Sequence, residues 1–217
     1  MQGTMRSTLN HSSMNRLKFL LSVLALSLLI ALRCTTSVEA DPAALWQLDL
    51  AHSNAHFAVA HMGISTVQGY FTKIDGSCYF DGKDLNSASV SATLDASSVD
   101  TRNADRDADL KSDKFFDVAK YPTLTFKSRR FRVMSPGKFQ VTGELTIHGV
   151  TKTVVLDGKG PTAVVKDPWG HYRVGASLST DINRKDYGLV WNKILESGGV
   201  LVGENVSITL DVEFVKK

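Results

Sequence analysis

Cysteine is almost missing from this chain. Of its 217 residues only Cys34 and Cys78 carry a thiol. If the N-terminal segment is removed, Cys78 stands alone, no internal disulfide can form, and the core must hold the fold together. A membrane-spanning run is missing as well. The longest apolar stretch, Phe19 to Leu32, ends at Arg33 and falls short of the roughly 20 residues needed to cross a hydrocarbon core. Arg6, Arg16 and Lys18 precede it and Val38-Glu39-Ala40 follow it. That pattern predicts a cleavable signal peptide over residues 1–40, cut before Asp41, with Met14 as an alternative start that leaves the mature protein unchanged. An uncleaved anchor is the other reading of the same run. Lipidation at Cys34 is disfavoured by Arg33, which stands where a small residue is required.

Excess charge of either sign is also missing. The chain carries 25 basic and 22 acidic residues. Arg6, Arg16, Lys18, Arg33 and Glu39 leave with the signal, which brings the two signs level. The remaining domain, residues 41–217, therefore has no nucleic-acid footprint. Its length suits one domain with a self-sufficient core. Internal repeats and low-complexity tracts are absent.

Catalytic and metal sets are thin. His52, His56 and His61 fall close together, but on an extended strand His56 and His61 have opposite parity, and no cysteine or carboxylate cluster completes a zinc set. Ser53, His52 and Asp49 supply the residue types of a hydrolytic triad, yet no nucleophile elbow or oxyanion glycine motif accompanies them. Cys78 reads as a small apolar strand residue rather than a nucleophile. The expectation is no enzyme, no metal and no cofactor.

What the sequence has in quantity is alternation. In Glu204 to Phe214, Val206, Ile208, Leu210, Val212 and Phe214 share one face, and polar residues share the other. Phe139 to Ile147 and Tyr172 to Ile182 repeat the pattern. Further strands are expected at Trp46 to Leu50, Phe57 to His61, Val67 to Phe80, Ala88 to Ala96, Thr123 to Val133 and Thr153 to Val165. Asp81-Gly82, Ser135-Pro136-Gly137, Asp157-Gly158 and Asp167-Pro168-Trp169-Gly170 read as turns between them. One polar helix, Asn103 to Lys111, is too short to stand alone and calls for anchors at Leu110, Phe115 and Phe116. It reads equally as a surface crossover or as a lid, and Tyr121-Pro122 returns the chain to an extended course. Such a meander is all-β and makes either a sandwich or a closed barrel. Gly69 and Gly76 inside the long strand Val67 to Phe80 favour the barrel, since strand glycines mark the bends a closing sheet needs.

Four ordered blocks make the pattern specific. The first is Leu48-Asp49, Ala51-His52-Ser53, Phe57 and His61 to Gly69 with Phe71. The second is Ser98 to Thr101 with Asn103, Arg106-Asp107, Leu110, Phe115-Phe116-Asp117 and Tyr121-Pro122. Gly143 to Thr151 and Ile182 to Gly188 complete the set. Over about residues 45–216 the chain resembles the YceI-like proteins, exported lipocalin-like barrels associated with polyisoprenoids, although Gln68 stands where members often carry arginine. The resemblance implies an eight-stranded antiparallel barrel with a short helical crossover, periplasmic or secreted. It also implies an elongated apolar tunnel for a polyisoprenoid, a quinone tail or a long-chain lipid amide. Transient membrane contact and pairing of two barrels are compatible with it.

On that scheme the candidate tunnel walls are Phe57, Phe71, Phe115, Phe116, Leu124, Phe126, Phe139, Leu145, Ile147, Ala176, Leu178 and Tyr187, and the alternative is that these side chains fill a solid core. Arg102, Asn103 and Arg106 are candidates for a headgroup site at the tunnel mouth, against a reading in which they belong to a capped, solvated helix. A ligand-free stress-response interaction module with a solid barrel remains the rival to a lipid carrier.

Overall fold

A computed structural model describes residues 43–196 and 198–217. The expected signal peptide, its cut before Asp41 and Cys34 lie outside these residues. The chain runs through β1 (Ala44–Leu48), β2 (Asn54–His61), β3 (Ser65–Phe71), β4 (Ile74–Phe80), β5 (Ser89–Asp95), β6 (Val99–Asp100) and the helix α1 (Ala104–Lys111). It continues through β7 (Thr123–Ser135), β8 (Lys138–Ile147), β9 (Val150–Lys159), β10 (Val165–Lys166), β11 (Tyr172–Asn183) and β12 (Val202–Lys216).

Closure is carried by β12. One of its edges pairs with β11 from Arg173↔Val215 to Asn183↔Asn205. Its other edge pairs first with β2 and then with β1, so β1 and β2 act as one strand bent at the 3-10 turn Leu50–His52. There the Asp49 carboxylate accepts the Ala51 N–H at 3.0 Å. β3 and β4 likewise form one bent strand, pairing with β2 and with β1 in turn. The ring then continues through β5, β7, β8 and β9 back to β11, which makes a closed eight-stranded antiparallel barrel with chain neighbours adjacent throughout.

The bend of the β3–β4 strand differs from the sequence expectation. Gly69 and Gly76 stay in register, opposite Phe57 and Ala92. The break falls at Thr72–Lys73, whose amides leave the ladder for Ser98. Thr72 N–H donates to the Ser98 carbonyl and Lys73 N–H to Ser98 Oγ, each at 3.1 Å. A second correction concerns Asp157-Gly158, which is no turn. Both residues lie inside β9, where Gly158 faces Phe139 on one side and Leu178 on the other.

Two core clusters form, one toward each end of the barrel. The first gathers Trp46, Phe80, Phe131, Phe139, Val141 and Val174, with Trp46 Nε1 donating to the Phe80 carbonyl at 2.9 Å. The second gathers Phe71, Val99, Leu124, Ile147, Tyr187 and Leu189. α1 is capped by Asn103, whose side chain accepts the Arg106 N–H at 2.9 Å. Leu110 and Phe116 tie the crossover to the second cluster, as their apolar character requires of so short and polar a helix.

Candidate functional site

Between the two clusters the barrel is hollow. A cavity of about 280 Å³ touches apolar side chains from nearly every strand of the ring. Along β12 its wall is Val206, Ile208, Leu210, Val212 and Phe214, a run of roughly 26 Å at about 3.3 Å per residue. The lining includes members of both core clusters, so the cavity is elongated and apolar. These inward residues are only half-buried although they face the interior, because the bore leaves part of their surface uncovered.

A barrel so rich in phenylalanine stays open because the rings fold down onto glycines of the sheet. A β-carbon added at Gly69, Gly143 or Gly158 would stand 2.4 Å from Cζ of Phe57, Phe126 or Phe139 respectively. Each ring thus occupies the place a neighbouring side chain would take, and lies along the wall. Ala92 and Ala176 contribute small side chains to the same wall. At the second cluster the crossover closes over the bore, with Phe116 edge-on to Phe71 at 5.7 Å and Phe115 against Trp191 at 5.2 Å between ring centroids. Of the two readings of that segment, the wall contacts of Leu110, Phe115 and Phe116 are those of a lid.

Every aromatic and aliphatic wall candidate named from the sequence lines this cavity except Tyr187. Tyr187 is 2% exposed inside the second cluster, its hydroxyl without a hydrogen-bond partner, and burial pushes its pKa up to about 12, with Asp186 adding to the effect. Arg102 and Asn103 lie on a shallow outer groove with Lys73, Asp100 and Lys111. The Arg106 guanidinium is committed to Thr101, through Nε to Oγ1 and Nη2 to the carbonyl, both at 2.8 Å. The structure does not bring these three residues to the bore.

Other polar or titratable residues do reach it, Cys78 and Arg184 among them. Cys78 faces the cavity from β4, and burial pushes its thiol pKa up to about 12, far from a nucleophile's range. Arg184 is 4% exposed beside the bore. Its guanidinium donates to the carbonyls of Gly203 at 2.8 Å and Trp191 at 2.9 Å, and also to those of Leu189 and Val202. Burial lowers its pKa and the charge of Glu204 opposes that shift. Ile182, two positions earlier on the same alternating face and lining the same cavity, is the sequence signal that Arg184 points inward. The β12 wall is legible from its alternation as a buried face, and closure of the ring turns that face into a cavity wall.

The polar residues near His52 are otherwise engaged. Ser53 Oγ donates to the Glu213 carbonyl at 3.3 Å and accepts the Glu213 N–H at 2.9 Å. Asp49 holds His52 Nδ1 at 2.9 Å. Asp49, His52 and Glu213 are the one trio of metal-ligating type drawn together among the described residues, and the Arg173 guanidinium already bridges the two carboxylates. Arg173 Nε also donates to Asp167 at 2.7 Å. His52, then Arg173, hold Asp49 down to a pKa of about 2. Burial works against ionised Asp167, but its bonds to Arg173 and to the amides of His171 and Trp169 outweigh it and hold the carboxyl below the usual range. The cluster ties β1, β11, β12 and the turn before β11 together.

Comparison with known proteins bears on the whole domain. A UPF0312 protein of Vibrio cholerae is 37% identical over 139 residues, covering 64% of this chain and 73% of the relative. The crystal structure of a Campylobacter jejuni YceI protein superposes with a TM-score of 0.63 at 31% identity, over 73% of this chain and 90% of that one. A polyisoprenoid binding domain from Saccharophagus degradans, implicated in plant cell wall breakdown, shares the fold with a TM-score of 0.59 at 17% identity, over 81% of this chain and 99% of that one. The model of the YceI-like domain matches residues 46–214, from the buried Trp46 to the last wall residue Phe214, and the chain belongs to the YceI-like family.

Proposed function

We propose that this protein binds one long-chain lipid, a polyisoprenoid or a molecule of similar shape, non-covalently in the bore of its barrel, and carries or sequesters it without catalysis. The observation that supports this reading is the apolar cavity inside the barrel, whose lining reaches both core clusters. Each methylene withdrawn from water contributes about 0.8 kcal/mol, so about a dozen enclosed carbons supply on the order of 10 kcal/mol toward the cost of ordering the chain. The proposed contacts are Phe57, Phe71, Phe126, Phe139, Leu145, Ala176 and Leu178 along the wall, with Leu124 and Ile147 and with Phe115 and Phe116 at the lid. The likeness to a domain described as polyisoprenoid binding favours a prenyl chain. A quinone tail or a long-chain amide fits the same bore.

Mass spectrometry of an organic extract of the purified protein tests the proposal. A stoichiometric lipid is expected. A clean extract, together with failure to take up a prenyl alcohol from detergent, would favour the ligand-free interaction module. We propose further that residues 1–40 export the domain to the periplasm or outside the cell, and the N-terminal residue of protein recovered after secretion tests this.

A further inference from the structure

We propose that one end of the barrel, formed by the Met62-Gly63-Ile64 turn and the hairpin that bridges Ile194 to Val200, docks onto the surface of a lipid bilayer. The proposal rests on the lipid-binding reading and adds the place where the lipid would enter or leave.

The two tips are neighbours. β2 ends at His61 opposite Val202, the Met62 N–H donates to the Leu201 carbonyl at 2.9 Å, and Ile194 pairs with Val200 across the hairpin. On them the side chains that should be hidden are turned outward. Ile64 is 79% exposed, Ile194 82%, Val200 43% and Met62 38%. Isolated exposed aliphatics need no explanation, but four on two adjoining tips form a patch whose burial must come from something outside the chain. Two separate protruding loops suit insertion between lipid headgroups better than the flat self-complementary surface a paired barrel needs.

The patch adjoins the bore. Leu189 and Val202, on either side of the hairpin, are both wall residues, and Trp191 packs on the lid residue Phe115. The Arg184 guanidinium fastens both ends of the same segment through the carbonyls of Leu189, Trp191, Val202 and Gly203. A bilayer seated on the tips would therefore lie one layer of side chains from the bore, which suits a ligand with negligible solubility as a free molecule in water. Lys193 and Glu196 are both exposed on the hairpin and offset one another, so apolar insertion and not headgroup charge carries the docking.

All strands of the ring come from residues 44–216, so residues 41–217 serve for the test, which keeps the apolar run of residues 19–32 out of it. Flotation is measured with vesicles of phosphatidylcholine alone and of phosphatidylcholine with phosphatidylglycerol. The expected result is that the protein floats with the vesicles, that I64D and I194D each lower partitioning by roughly tenfold, and that W169D, at an exposed tip of the far end, changes it little. Circular dichroism and sedimentation accompany each variant. Equal flotation of all variants, equal loss with W169D, or a dimer that I64D and I194D dissociate without any vesicle binding would overturn the proposal. The two readings fail separately. A lipid in the extract with tip-independent flotation removes the docking face alone, and tip-dependent flotation with an empty bore removes the carrier alone.

Discussion

The ring of Phe139 lies where a side chain on Gly158 would have to go: the two residues are paired across β8 and β9, and a β-carbon at Gly158 would stand 2.4 Å from Cζ of the ring. This relationship, repeated by Phe57 on Gly69 and Phe126 on Gly143, keeps the bore open.

Gly158→Ala tests it directly. The added methyl has to push the Phe139 ring off the wall, which costs about 1–3 kcal/mol as overpacking and moves the ring into the bore. Urea denaturation should show the loss of stability, and lipid extraction should show less ligand per protein. A variant with wild-type stability and wild-type lipid content would mean that the ring has room to spare.

Filling the bore should separate binding from folding. Ala176 is a small wall residue, and Ala176→Phe places a ring in space that is already empty. The expected outcome is a folded protein, melting within a few degrees of the wild type, that has lost its lipid. Retained lipid would argue that the ligand sits elsewhere.

Cys78 gives a chemical readout of the same space. With its thiol pushed up to about 12 from an ordinary 9.0, its thiolate fraction near pH 8 is roughly a thousandfold below that of a free cysteine. In a Cys34→Ser background, a disulfide reagent should react slowly with the native protein and at the ordinary rate in urea. Fast native reaction would contradict the burial of the thiol.

Acid should loosen the outer cluster. Asp49 ionises at about 2 in the folded protein against an ordinary 3.8, and Asp167 is depressed in the same direction. Between about pH 4 and pH 2 the unfolded chain binds protons that the folded one refuses. The stability these carboxylates contribute is therefore complete above about pH 4 and lost as the pH falls through the folded values. Arg173→Met should lower the urea midpoint at neutral pH and flatten its decline in acid. An unchanged acid slope would show that other carboxylates govern it.

Arg184 should tolerate no replacement. Arg184→Met takes the guanidinium donor from the carbonyls of Leu189, Trp191 and Gly203, at about 1–3 kcal/mol for each one that stays buried and unpaired, while Val202 keeps the Asn192 Nδ2 donor at 2.7 Å. Arg184→Lys should rescue little, because a compact ammonium cannot span the carbonyls that a planar fork reaches. Full rescue by lysine, read by thermal unfolding, would reduce the role to charge alone.

Much of the barrel was legible because alternation reports directly which side of a strand meets water. Val206 through Phe214 and Phe139 through Ile147 read correctly for that reason. The bend at Thr72–Lys73 did not, since it depends on Ser98, a residue 25 positions from Lys73 that takes both amides out of the ladder. Asp157-Gly158 looked like a turn because the pair commonly makes one, while here the glycine is required by a ring on the next strand. Arg102 and Arg106 looked free to meet a headgroup, but Thr101 claims the Arg106 guanidinium and Arg102 faces the outer groove.

The order of residues by itself determined the family, the meander of antiparallel strands and the apolar face that every strand turns inward, because these follow from local periodicity and from motifs that keep their order along the chain. Whether those faces meet in the middle or stop short of one another was decided only by the tertiary structure. It depends on where each phenylalanine ring comes to rest, and a ring that lies on a glycine of the neighbouring strand leaves open a bore that the same ring, turned inward, would fill.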